Sequence, residues 1–79
     1  KMEACARRVS HCRDVGKNTW PELCGARGEE AAATVETENP SVTAVIVPEG
    51  SIVTTDERCD RVRVWVDENG IVTRVPVIG

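Results

Sequence analysis

Two valine-rich segments, 42–47 and 61–66, are separated by a stretch too long for a tight hairpin, and this spacing constrains the fold more than any other feature. Val42 to Val47 is nearly continuous Val, Ile and Ala, the pattern of a strand buried on both faces. Arg61 to Val66 alternates strictly, with Val62, Val64 and Val66 on one face and Arg61, Arg63 and Trp65 on the other. A connection from Val47 to Arg61 fits a parallel pair crossed by a wide loop better than a hairpin. Asn69-Gly70 is a type I′ hairpin signal, so Ile71 to Val77 is expected to return as an antiparallel strand. Pro76 lacks a donor and marks that strand as an edge.

Gly28 to Glu38 is the helix candidate. Glu29 and Glu30 suit the positive end of the helix dipole, and Ala31 and Val35 lie one above the other at i, i+4. Arg27 and Gly28 stand where a capping Ser, Asp or Thr would be expected, and Asn39-Pro40 ends the run. The acidic residues of the helix read as a solvated face. Ahead of it, Trp20-Pro21-Glu22-Leu23 places a large apolar side chain before a proline that favours an extended backbone at Trp20. With no Phe or Tyr and two tryptophans, the core must come from Val, Ile, Leu and Ala, with Trp20 as an anchor.

A chain of 79 residues is one domain close to the size at which a core needs help, and four cysteines can supply it as two disulfides formed in an oxidising compartment. His11 next to Cys12 hints at metal, but the spacings to Cys24 and Cys59 match no zinc pattern, and structural disulfides are the stronger reading. His11 is then an exposed polar residue. The charge of −3 and the scattered basic residues argue against nucleic acid. No apolar run reaches membrane-spanning length. The given sequence shows neither an initiator methionine nor a signal peptide, the look of a processed, secreted or vacuolar product.

Between the strands, Ile52 to Thr55 favours an extended backbone, and Asp56, Arg58, Asp60, Arg61 and Arg63 place charges of both signs behind it. A solvated connection with incidental charges is the plain interpretation. Against it stand the length, the β-branched run and two same-face arginines matched to nearby carboxylates. Catalysis is not supported. A single histidine near the terminus builds no Ser-His-Asp set, bonded thiols build no Cys/His pair, and arginines beside Asp56 and Asp60 keep them ionised. No cofactor is implied.

Trp20-Pro21-Glu22-Leu23, Gly25, Glu29-Glu30-Ala31, Pro48-Glu49-Gly50, Val53-Thr54, Cys59-Asp60-Arg61-Val62 and Val75-Pro76 together resemble the potato inhibitor I family of serine protease inhibitors. These motifs run from Gly16 to Gly79, about four fifths of the chain, and leave residues 1–15 as an N-terminal extension tethered by disulfide. The resemblance implies an α+β domain over 16–79, with one helix on a small mixed sheet and a long loop presented as a substrate mimic. It places the reactive bond at Thr55-Asp56. Thr55 would enter the specificity pocket of the protease, Ile52, Val53 and Thr54 would lie along its cleft, and Glu57 would sit on the leaving side. Such a segment can bind as an added strand. Arg61 and Arg63 would hold Thr54 and Asp56 through charge-assisted bonds contributing about 1.5–3 kcal/mol each, with Gly79 orienting an arginine. Thr55 is neither basic nor large and apolar, which points to elastase-like or subtilisin-like enzymes ahead of chymotrypsin-like ones, with the inhibitor acting as a monomer.

By analogy with disulfide-bearing members, Cys12 pairs with Cys59, which leaves Cys5 with Cys24. The rival arrangement, Cys5–Cys12 with Cys24–Cys59, would close a small basic loop that could form a second binding site. Two further functions stay open: a defence peptide acting through the N-terminal segment on a membrane or microbe, and a weakly inhibitory storage or interaction protein of the same fold.

Overall fold

The computed structural model describes residue 5, residues 8–13 and residues 15–79. Of the expected extension over 1–15, the remaining positions lie outside the described residues. The elements are a 3₁₀ turn at Pro21–Leu23, helix α1 at Gly28–Glu38, strand β1 at Thr43–Pro48 and strand β2 at Arg61–Val66.

β1 and β2 pair in parallel, in a register that sets Thr43 against Arg61, Val45 against Arg63 and Val47 against Trp65. The long connection therefore has to travel back along the sheet. Helix α1 packs against both strands, and its buried Ala31 and Val35 share a core with Trp20, Val42, Val62, Val64, Val66, Val72 and Ile78. Trp20 is fully buried, the anchor its scarcity suggested.

The start of α1 explains its missing cap. No side chain caps it, but the Gly28 N–H donates to Gly70 O at 2.8 Å, so the turn after β2 satisfies an end donor. A Cβ at Gly28 would lie 2.8 Å from Val66 Cγ1, so glycine is what lets the helix approach the strand this closely. At the other end, Asn39 is buried and fully used. Its amide donates to Val15 O (2.7 Å) and Lys17 O (3.0 Å), and its Oδ1 accepts from Ser41 N (3.1 Å). The acidic face is partly engaged too: Glu38 accepts from Trp20 Nε1 at 2.9 Å and Glu36 from Ala44 N at 2.8 Å.

Four expectations need correction. β1 is not buried on both faces, since Val45 is 42% and Ile46 43% exposed. It is the outer member of a two-stranded sheet, so its apolar composition does not mean it is covered. Residues 71–77 form isolated antiparallel bridges, Val66 with Val72 and Val62 with Ile78, in place of a continuous strand. Nor does Pro76 mark an edge. It is buried, its carbonyl accepts from Trp20 N at 2.9 Å, and Val77 bridges Thr19 on the side away from β2. Finally, the hairpin turn is not centred on Asn69-Gly70. Gly70 N donates to Asp67 O at 2.9 Å, which makes Glu68 and Asn69 the central pair, and Gly70 follows with φ +79°. Asp67 Oδ1 takes the N–H groups of Asn69 (2.8 Å) and Ile71 (3.0 Å), favouring this three-residue loop over the two-residue one.

The disulfides join Cys5 to Cys24 and Cys12 to Cys59, with Cα atoms 5.9 and 5.6 Å apart. Cys12 is buried in the core, and beside it the Ser10 hydroxyl donates to Ile78 O at 2.7 Å and accepts from Cys12 N at 3.1 Å. Ser10, Cys12 and Val15 are thus built into the domain through described contacts.

Candidate functional site: an exposed loop braced from beneath

Residues 51–58 lie outside helix, strand and turn, and they project from the sheet. Ile52 is 99% exposed, Thr54, Thr55, Asp56 and Glu57 are exposed, and Val53 is half-buried.

The alternation of β2 decides what lies beneath. Arg61 and Arg63 both leave the strand on the loop side, their side chains only 15% and 18% exposed. Arg63 Nη2 donates to Thr54 Oγ1 at 2.9 Å. Arg61 Nη2 donates to the Asp56 backbone carbonyl at 2.8 Å, and its Nη1 lies 3.5 Å from Asp56 Oδ2. Arg61 Nε is taken by Gly79 O at 2.9 Å, which fixes the guanidinium plane. Above the arginines the Thr54 hydroxyl donates to Asp56 Oδ1, closing a bridge across Thr55. Thr55 itself joins none of these bonds among the described residues. The structure thus holds the residues on either side of Thr55 and leaves Thr55 facing solvent.

The electrostatics agree with the geometry. The Asp56 carboxyl is held below the usual aspartate range chiefly by the Thr54 hydroxyl; burial opposes this, and the Arg61 charge adds a smaller lowering effect. Arg58 turns away and pairs with Asp60 through Nε and Nη2 at 3.0 and 2.9 Å. Glu57 has no recorded partner among the described residues. Cys59 ties the downstream shoulder to Cys12.

The upstream shoulder has a fastening that the sequence did not reveal. Glu49 accepts from Arg74 Nε and Nη2, both at 2.9 Å, and from the Thr73 hydroxyl at 2.6 Å. Pro48-Glu49-Gly50 reads locally as no more than a strand stop, and Arg74 gives no periodic signal. Among the described residues no group of three His, Cys, Asp or Glu side chains could hold a metal ion. What the site offers is an exposed peptide segment braced from beneath, a surface that can be bound.

Comparison with known proteins agrees. The model of the potato inhibitor I family matches residues 3–79, further toward the N-terminus than the motifs quoted above. The "Glu S.griseus protease inhibitor" of Momordica charantia is 60% identical over 70 residues, which cover 89% of this chain and all of that one. The "Inhibitor of trypsin and hageman factor" of Cucurbita maxima is 52% identical over 64 residues, 81% of this chain and 94% of that one. The crystal structure of bitter gourd trypsin inhibitor superposes with a TM-score of 0.82 at 57% identity, covering 86% of this chain and all of its own. With a braced, exposed loop on this fold and a family match over nearly its whole length, the chain belongs to the potato inhibitor I family and is a serine protease inhibitor, not an enzyme.

Proposed function

We propose that the chain is a reversible, substrate-like, tight-binding inhibitor whose reactive bond is Thr55-Asp56, directed at elastase-like or subtilisin-like enzymes. The observation that carries this reading is the set of bonds from Arg63 to Thr54, from Thr54 to Asp56 and from Arg61 to Asp56, which brackets one exposed residue. In this reading Thr55 enters the primary pocket, Ile52 to Thr54 lie along the cleft as an added strand, and Asp56 and Glu57 occupy the leaving side. A loop already held in its bound shape avoids much of the ordering cost that a flexible substrate incurs. Relatives named for different enzymes, trypsin and hageman factor in one case and a Glu S. griseus protease in another, support a target set by the loop residues and not by the fold. The small β-branched Thr55 suits a shallow pocket. Two disulfides favour an extracellular or vacuolar site of action.

Titration against elastase, subtilisin, chymotrypsin and trypsin tests the target, and Thr55→Lys should redirect inhibition to trypsin. Inhibition that survives deletion of Ile52–Asp56 would sink the reading. Retained activity on microbes or vesicles after that deletion would favour a defence role for the N-terminal segment instead.

A further inference from the structure

The face of β2 that carries Arg61 and Arg63 continues to Trp65, the next residue but one. The arginines reach the loop directly. Trp65 is buried and reaches it through Arg74, whose guanidinium lies 4.1 Å from the ring centroid. Arg74 in turn grips Glu49 with two parallel N–H donors. The Glu49 backbone is pinned as well, its N–H donating to Val66 O at 2.8 Å, and Ser51 N donates to Pro48 O at 3.1 Å across Gly50, which has φ +89°.

An isolated ion pair at this exposure contributes little. This one differs in three ways. Its guanidinium is stacked on an aromatic face, its fork matches the carboxylate, and a hydroxyl adds a third donor. Glu49 also faces more than one cation. The Arg8 guanidinium is pushed down by burial and by the charges of Arg74 and Arg63, and Glu49 is the carboxylate acting against that trend. Glu49 offsets part of the repulsion among these cations.

We propose that Glu49, gripped by Arg74 and Thr73, is a positioning residue for the upstream half of the loop. It sets the path of Ser51 to Val53 and keeps that half in place when the bond after Thr55 is cut. The inference rests on Thr55-Asp56 being the reactive bond. Hydrolysis there adds one water, hydroxyl to the Thr55 carbonyl carbon and hydrogen to the Asp56 nitrogen, and resealing expels it. Resealing requires both new ends to stay in register. The downstream end is held by Arg61 and by the Cys12–Cys59 bridge, the upstream end by Arg63 and by Glu49.

The test uses whichever of the four proteases above the unmodified chain inhibits, with Glu49→Gln, Glu49→Asp and Arg74→Met. Glu49→Gln and Arg74→Met should each raise the inhibition constant about three- to tenfold and raise the cleaved-to-intact ratio at equilibrium, with Glu49→Asp partly restoring both. General destabilisation would leave that ratio unchanged, because it acts on both forms alike. Amide exchange at Ser51 to Val53 should quicken in the free variants. Unchanged inhibition constant, ratio and exchange in Glu49→Gln would overturn the proposal, even if Arg74→Met fails to fold. If the unmodified chain inhibits none of the four, the reactive-bond reading falls and this inference falls with it.

Discussion

Arg61 and Gly79 hold each other reciprocally. The Gly79 N–H donates to the Arg61 carbonyl at 2.9 Å, and Arg61 Nε donates back to Gly79 O at 2.9 Å. The brace under the loop is thereby built partly on Gly79. Removing Gly79 should free the Arg61 guanidinium and weaken inhibition about tenfold while the core stays intact, since a lost charge-assisted bond is worth about 1.5 kcal/mol or more. Inhibition kinetics beside a thermal melt check this.

Arg63 has a different duty, because it alone of the two reaches Thr54. Arg63→Ala should weaken inhibition by about 1.5–3 kcal/mol and speed cleavage of the loop. Arg63→Lys should recover only part of this, since an ammonium cannot reproduce the planar donor set. Mass spectrometry of inhibitor incubated with protease reads the cleavage.

Acid should loosen the loop through Asp56. Its carboxyl titrates below the ordinary aspartate range, chiefly because the Thr54 hydroxyl donates to it, with a smaller lowering effect from the Arg61 charge. A depressed folded pKa means that the stabilisation is complete above the unfolded value and is lost as pH falls through the folded one. The carboxyl carbon of Asp56, followed by NMR, should therefore show a depressed midpoint, and Thr54→Val should raise it. An unmoved midpoint in Thr54→Val would show that the hydroxyl is not the main cause.

The two disulfides should differ in their effect on stability. Cys12–Cys59 spans 47 residues of separation and Cys5–Cys24 spans 19, so chain entropy alone favours the former by about 0.8 kcal/mol. Replacing Cys12 and Cys59 by Ser should cost about 2–4 kcal/mol, and replacing Cys5 and Cys24 should cost less. Denaturant unfolding of the two double variants gives the comparison.

Gly28→Ala places a methyl 2.8 Å from Val66 Cγ1, with no backbone strain to relieve in exchange. Overpacking of this kind costs about 1–3 kcal/mol. The melting temperature should fall, and inhibition measured well below it should be unchanged, because the contact lies away from the loop.

What could be read from the sequence was whatever local chemistry decides. Glu29, Glu30, the alanines and Asn39-Pro40 bound a helix by themselves, and the structure has it at Gly28–Glu38. Strict alternation sets Arg61 and Arg63 on one face, and connection length alone makes the pairing parallel. What escaped depends on distant partners. Asn39 takes Val15 and Lys17, more than 20 positions away in sequence. Glu49 finds Arg74 across 25 positions, by way of a tryptophan that reads only as core. The turn at Asp67 was misread for another reason: two local signals compete there, and the carboxylate of Asp67 outweighs the Asn-Gly pair.

The position of the Cys12–Cys59 bond relative to the exposed loop has a further consequence. Any single cut between residues 52 and 58 falls inside the ring this bond closes, whereas the Cys5–Cys24 ring lies wholly upstream. A nicked molecule therefore remains one covalent species, running as a single band until reductant is added. Its two pieces also share the parallel ladder of β1 and β2, so the severed ends meet at an effective concentration set by the fold and not by dilution. For such a chain, a cut in the loop leaves both pieces tied within one molecule.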